Sequence, residues 1–339
     1  MLSLEKWLNS KYLLQENALL SSIDLELSRR CNQQCLYCFT NAGEALPYEL
    51  TLREIKRVIL EGKEIGLKQV VIVGGGEPLL YRELEEVIDF ITYNGLRILL
   101  LTNGLLIDRE KADYFYRKKV YLCIKRNAFD QAHIHDDLVG RPGSFAQVTT
   151  VLNMLIDMGY AHSHNSMLAV ESIICRQNKG EISKLWRWAR SNNILPFMEL
   201  VTPQGRARDN QHLLITQDEA SQLFSELSQI DKYEYGYEWI PLPPIVGFPC
   251  RRNYYSCYIT SVGDVLPCSG LDIPVGNIRE NRLQEILENS VLIKKLRQAE
   301  VYLEGKCGQC DFKKGCYGCR GKAFCATGNP FAQDPLCWY

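Results

Sequence analysis

Three cysteines, Cys31, Cys35 and Cys38, stand in the run Cys-Asn-Gln-Gln-Cys-Leu-Tyr-Cys, a C-x3-C-x2-C spacing. Such a run offers three thiolates, whereas a four-iron cluster takes four ligands, so one iron is left for a ligand from outside the protein. An open iron suits an enzyme better than a plain electron carrier. Structural zinc is the competing use of the triplet, but zinc is closed by four ligands, and neither a His nor a fourth Cys lies nearby. Ahead of the triplet, residues 23–28 alternate apolar and polar side chains, as a half-buried strand does. The cysteines therefore sit on the loop leaving a strand's C-terminal end, where parallel α/β folds build their sites.

A second cysteine constellation lies in residues 250–339: Cys250, Cys257, Cys268, Cys307, Cys310, Cys316, Cys319 and Cys337. Cys307-x2-Cys310-x5-Cys316-x2-Cys319 is dense, and Cys250-x12-Gly263-x4-Cys268 encloses a hairpin with its turn at Val262-Gly263-Asp264. Zinc knuckles also use C-x2-C steps and remain an alternative there. Of the other cysteines, Cys123 and Cys175 fall in apolar strands and read as buried small hydrophobes. Cys325, beside the ligand run, is a possible substitute for Cys319.

These groups need a frame to hold them. Strand signals occur at 23–28, 69–73, 97–101, 119–124, 167–174 and 196–201, with helical runs between them. Thr51 is read as the cap of a helix carrying Leu52, Ile55, Val58 and Ile59, and further helices are expected near 82–94, 108–117, 144–158 and 180–191. Six β–α units imply a parallel sheet with helices outside. Thr216 and Glu219 form a capping box for a helix near 216–229, and a Tyr- and Pro-rich linker follows, from Tyr233 to Pro249.

The chain has 339 residues, 46% of them apolar and 23% charged, with a formal net charge of −1. That fits a large α/β domain plus a smaller one and gives no broad field for nucleic acid or membrane, so neither is an expected partner. No apolar run suits a membrane span and no signal-peptide pattern opens the chain, so a cytoplasmic protein is expected. Fourteen cysteines in a reducing compartment point to metal rather than to disulfides.

Several segments then resemble the radical S-adenosylmethionine (SAM) superfamily. Its signature is C-x3-C-x-φ-C with φ aromatic or apolar, and Tyr37 fills φ. Val70 to Val73 lead into Gly74-Gly75-Gly76-Glu77-Pro78, similar to the family's GGEP motif, whose backbone and Glu bind the SAM ammonium. Ile98 to Leu101 lead into Thr102-Asn103-Gly104, which is either an ordinary Asn-Gly turn or a strand end that brings Asn103 to the ribose. The stretch Val170 to Asn178 resembles the family's fifth strand and puts Glu171 toward SAM, and Arg206 is placed to bind the SAM carboxylate. The resemblance implies a partial (β/α)6 TIM-like barrel over 23–205, after a lead-in of 1–22. Tyr37, Gly75, Gly76, Glu77, Pro78, Asn103, Glu171 and Arg206 would then contact SAM.

Residues 250–339 resemble the SPASM extension, which holds two auxiliary clusters, with 206–249 as helix and linker. Carried over, cluster I takes Cys250, Cys257, Cys268 and Cys319, and cluster II takes Cys307, Cys310, Cys316 and Cys337. The chain departs from the motif at Cys316 to Cys319, x2 in place of x3, and Ser269 stands where sulfatase-maturing relatives have a base Asp. The implied cofactors are SAM and three 4Fe–4S clusters, and the implied electron donor is a reductant such as flavodoxin or ferredoxin. SAM cleavage would yield a 5′-deoxyadenosyl radical that takes hydrogen from a C–H bond for oxidation, epimerisation or cross-linking. The substrate is a small molecule or a peptide, and the short lead-in weakens the peptide reading. A non-catalytic iron–sulfur or zinc protein for electron transfer or sensing is the alternative.

Some residues are read from the chain alone. Lys125, Arg126 and Asn127 end the fourth strand, where a cation could meet a carboxylate or phosphate, and Glu199 is expected to point inward. The H-x-H pairs His133/His135 and His162/His164 are read as surface histidines.

Overall fold

The computed structural model describes residues 19–162 and 166–339. The expected lead-in lies outside them up to residue 18, as does His164. Strands β1 (Ser22–Leu25), β2 (Gln69–Ile72), β3 (Arg97–Thr102), β4 (Tyr121–Lys125), β5 (Leu168–Ile174) and β6 (Leu195–Leu200) pair in parallel in chain order. Between them run α1 (Leu52–Glu64), α2 (Leu84–Tyr93), α3 (Arg109–Arg117), α4 (Ala132–Val139), α5 (Ser144–Asp157) and α6 (Lys179–Ser191). This is the expected partial barrel.

Strand alternation divides the core into two layers. Ile23, Leu25, Val70, Ile72, Ile98, Leu100, Leu122 and Ile124 face the helices. Val71, Leu99, Cys123, Ala169, Leu195 and Phe197 face the barrel interior. The same alternation turns Lys125, Glu171 and Glu199 inward at the C-terminal mouth, above that apolar floor. Helix α1 starts at the expected cap: Thr51 Oγ1 accepts from Glu54 N at 3.3 Å, and Glu54 Oε2 accepts from Thr51 N at 2.8 Å. Thr216 and Glu219 repeat the arrangement at α7 (Gln217–Ile230).

The cysteine-rich segment is not a separate appendage. Strand β7 (Ser256–Ile259) pairs in parallel with β1, with Ser22 opposite Ser256 and Ile23 opposite Cys257. Strands β8 (Asp264–Leu266) and β9 (Gly276–Asn277) add antiparallel edges. The hairpin is thus the far edge of the barrel sheet, and a partly buried ion pair, Arg252 Nη1 to Asp24 Oδ2 at 2.8 Å, ties it to β1.

Histidine 135 departs from its surface assignment: it is fully buried on α4. Its Nδ1 accepts from Asn127 N at 3.1 Å, so Nε2 carries the proton and faces Ser144 Oγ at 3.2 Å. Ser144 Oγ in turn accepts from Gln33 Nε2 at 2.8 Å, which links this network to the first cysteine loop. Burial pushes the His135 pKa down to about 4. An unfolded His titrates near 6.5, so between those values the unfolded chain holds a proton that the native one does not. His135 therefore contributes stability that is complete above about pH 6.5 and is lost as pH falls through about 4, on the order of 3 kcal/mol. Urea midpoints measured at pH 7 and pH 5 should differ more in the parent chain than in His135→Leu; equal differences would contradict this reading.

Candidate active site

The cysteine loop is shaped by backbone bonds to its neighbours. Cys31 N donates to Gly43 O at 2.8 Å, Gln34 N to Val139 O at 3.0 Å and Leu36 N to Leu138 O at 2.9 Å. Arg206 braces it from behind: its N donates to Cys38 O at 2.8 Å and its Nε to Cys35 O at 3.1 Å. Gly205 (φ +57°) passes so close that a Cβ there would lie 2.5 Å from Cys38 O, so only glycine fits. The glycine loop after β2 locks onto the same segment, with Gly76 N donating to Ser28 O at 2.7 Å and Glu77 N to Arg30 O at 2.8 Å. A Cβ on Gly76 would meet Arg30 O at 2.0 Å.

Cys31, Cys35 and Cys38 line one cavity with Tyr37, Gly75, Gly76, Glu77, Asn103 and Glu171. Burial pushes the Cys35 thiol up to about 12 and Cys31 to about 11, and the neighbouring thiols add to both. Burial also acts on Cys38, but Thr40 Oγ1 and Ala42 N, each 3.4 Å from its sulfur, bring it below the usual thiol value. Bound iron would hold all three as thiolates. On the opposite wall Lys125 Nζ pairs with Glu171 Oε2 at 2.8 Å and lies over the Tyr37 ring. Glu199 is held above the ordinary carboxylate range by burial and then by Glu171.

A second cavity adjoins the first, and Tyr37, Phe39, Ile173 and Glu199 line both. Cys250, Cys268 and Cys319 open into the second cavity. Burial raises Cys268, then Cys319 and Cys250 raise it further, as expected of thiols that face one another. Cys307, Cys310, Cys316 and Cys337 form another group: Cys316 is pushed up to about 11 by burial, with Cys337 and Cys307 among its neighbours, and Cys337 is raised by burial, then by Cys307 and Cys310 among others. Backbone N–H groups of Gly318 and Asp334 point at Cys316 and Cys307 sulfurs, both at 3.4 Å, the kind of contact that tunes a cluster. Among the described residues no three His, Cys, Asp or Glu side chains are arranged to hold a single metal ion. A cube in which each thiolate reaches its own iron asks for a wider set of sulfurs than zinc does.

The sequence profile of the radical SAM superfamily matches residues 25–171, and that of an iron–sulfur cluster-binding domain, SPASM, matches residues 250–311. The AdoMet-dependent heme synthase of Methanosarcina barkeri is 30% identical over 93% of this chain and 95% of its own length. This chain belongs to the radical SAM superfamily. The mycofactocin maturase MftC of Mycobacterium tuberculosis is 27% identical over 92% of the chain and 81% of its own length. The SAM-bound crystal structure of Streptococcus suis SuiB shares the fold, with a TM-score of 0.72 at 17% identity, covering 94% of this chain and 77% of that one. Membership makes the protein an enzyme with SAM and iron–sulfur clusters as cofactors, which sets aside the non-catalytic alternative. No helix of the described residues is long and apolar enough to cross a membrane.

Within this radical SAM site several residues differ from expectation. Both Glu77 oxygens are taken: Oε1 accepts from Thr102 Oγ1 at 2.6 Å and Leu79 N at 3.0 Å, and Oε2 from Asn103 N at 2.8 Å. Its carboxylate ties the glycine loop to β3. Arg206 spends its donors on the cysteine loop and does not line the cavity edged by Cys31, Cys35 and Cys38; Pro78 sits behind the loop as the start of a 3-10 turn. Arg126 turns away to Ala128 O and Phe129 O, between the Phe145 and Trp188 rings, and Asn127 donates to Tyr37 Oη at 2.7 Å. Of that trio only Lys125 faces the cavity.

Cys257 is the largest departure. It packs among the helix-side residues, and its charged neighbours are Asp24 and Arg297 rather than another cysteine. Tyr258, the next residue, faces the interior. Cys123 and Cys175 are buried as expected, while Cys325 lines a different cavity beside Asp272 and so does not replace Cys319. One group carried no signal in the sequence. Lys322 is 1% exposed, its Nζ has no hydrogen-bond partner, and it lowers the pKa of Cys319 against the effect of burial. An unpaired buried ammonium is costly unless an anion faces it, and a thiolate-ligated cluster is such an anion. In the reconstituted protein, Lys322→Met should move one auxiliary potential more negative, on the order of 100 mV. An EPR-monitored redox titration reads this, and unchanged potentials would contradict the placement.

Proposed function

We propose that the Cys31/Cys35/Cys38 loop holds a 4Fe–4S cluster whose fourth iron takes the amino and carboxylate groups of SAM. Two auxiliary clusters would sit on the C-terminal cysteines. With iron and SAM bound, the site supplies one-electron cleavage of the sulfonium and a 5′-deoxyadenosyl radical that takes a hydrogen atom from a substrate C–H bond. The observation that carries this reading is the pair of adjoining cavities, one edged by the three N-terminal thiols and the other by Cys250, Cys268 and Cys319, with one shared wall. A substrate at that wall lies between the source of the radical and an electron acceptor.

The chain's own residues divide the remaining work. The glycine loop backbone orients the ammonium, Asn103 approaches the ribose, and the Lys125–Glu171 pair fixes charge on the far wall. Glu199 faces both cavities, and burial raises its pKa, so its ionised carboxylate is a stronger base than an exposed one and is suited to accept a proton from substrate. It supplies the base that Ser269 cannot. The electron reaches the first cluster from a reductant such as flavodoxin or ferredoxin.

Two substrate classes suit such a site, a cofactor precursor and a peptide side chain. The likeness to the heme synthase, which runs over nearly the full length of both chains, favours the first. The maturase likeness keeps the second as the alternative.

Anaerobically reconstituted protein given dithionite and SAM should release 5′-deoxyadenosine, and Cys35→Ala should release none. Release by Cys35→Ala, or none by the parent chain, would overturn the assignment. With substrate in hand, Glu199→Gln should keep SAM cleavage but lower product turnover by about 10²-fold and remove the acid limb of its pH profile. An unchanged profile would exclude Glu199 as the base.

A further inference from the structure

We propose that the auxiliary site at Cys250, Cys268 and Cys319 is a three-thiolate site, so that a cluster held there would keep one iron free of protein ligands and could take an anionic oxygen or sulfur donor of a substrate in the shared cavity. The inference rests on the iron–sulfur reading above and changes what the second cluster does. A closed cluster only passes electrons; an open one also holds the substrate.

Strand parity separates Cys257 from these thiols. Ile23 and Cys257 are register partners on β1 and β7, and both pack against the helices. Asp24 and Tyr258 are the next partners, and both face the interior. Neighbouring residues of one strand point to opposite faces, so Cys257 cannot reach the face that Tyr258 occupies. A one-residue slip would bring the sulfur in, but it would expel the Tyr258 ring from the interior core and break its hydroxyl bond to Glu26. It would also shift Ser261, whose N–H donates to Glu26 Oε2 at 2.9 Å. Leu266 at the end of β8 faces inward, and Cys268, two residues on, opens into the cavity. The three interior thiols and Cys257 therefore lie on opposite sides of the sheet.

No other cysteine makes up the fourth. All fourteen are described, and of them only Cys250, Cys268 and Cys319 line this cavity. The rest of its wall is partly barrel: Phe39 and Ile173 carry no donor, the hydroxyls of Tyr37 and Tyr317 accept from Asn127 Nδ2 at 2.7 Å and Asn253 N at 3.1 Å, and Glu199 is the one carboxylate. Arg252 also lines it and places a cation beside an incoming anion, although its guanidinium is shared with Asp24. Iron accepts carboxylate and thiolate donors, so a substrate bearing either can bind at the open corner with its C–H bond toward the SAM cavity.

The test uses the full chain with Cys31, Cys35 and Cys38 replaced by Ala, so that only the auxiliary sites load. Reconstituted parent should carry about eight irons per chain. Cys257→Ala in that background should keep about eight and an unchanged EPR spectrum, while Cys268→Ala should lose the signal of this site. Retention of the other cluster's signal in each variant shows that the chain has folded. Carbon-13 cyanide added to the reduced parent should give a resolved carbon-13 coupling, as it should in Cys257→Ala. A loss of about four irons in Cys257→Ala would show that it is a ligand and overturn the proposal. So would absence of cyanide coupling in the parent, and coupling that appears only after Glu199→Gln would identify Glu199 as the closing ligand. Failure of the parent to load any iron would instead overturn the functional reading on which this one rests.

Discussion

Two loops close on one another at the mouth of the barrel, and the rest of the site depends on that closure. The segment before Cys31 offers the carbonyls of Ser28 and Arg30, and the glycine loop after β2 answers with the N–H groups of Gly76 and Glu77. The bonds are ordinary in length, but they form only because no side chain stands at Gly76. Three thiols are thereby held beside a bare stretch of backbone. A ligand that bridges iron and that backbone has both of its anchoring surfaces fixed before it arrives, which is the condition for low-cost binding.

The polar groups around this closure serve the frame first and the ligand second. Glu77 spends both oxygens on the end of β3, Arg206 spends its donors on the cysteine loop, and Asn127 steadies the Tyr37 hydroxyl. What remains turned toward the cavity is a short set, Lys125, Glu171 and Glu199, carried by three adjacent strands of the barrel. Buried charge of this kind is expensive and contributes little net stability even when paired. Its place at the mouth, directly between two groups of thiols, is accounted for by chemistry rather than by folding.

Much of this was legible in the chain. The cysteine spacing, the glycine loop and the alternation of β1 to β6 are local signals, and local physics produces them: sulfur count, backbone freedom and the two-residue period of a strand. The capping boxes at Thr51 and Thr216 are equally local. What escaped was non-local. Ser256-Cys257-Tyr258-Ile259 is buried throughout, so its pattern does not say which side faces the interior. Only the parallel pairing with β1, more than two hundred residues earlier, fixes that face. Counting cysteines therefore grouped Cys257 with thiols that lie on the other face of the sheet. His135 and Lys322 escaped for the same reason, because each is buried by segments distant in sequence.

The central claim is that the first cluster keeps one iron free of protein ligands and that SAM occupies it. SAM labelled with nitrogen-15 at its amino group, added to the reduced protein and examined by electron–nuclear double resonance, reads that bond directly. A resolved nitrogen-15 coupling that disappears when SAM is left out is the predicted result. A spectrum with no nitrogen-15 coupling at saturating SAM would mean that the fourth iron is closed to it, and would contradict the account.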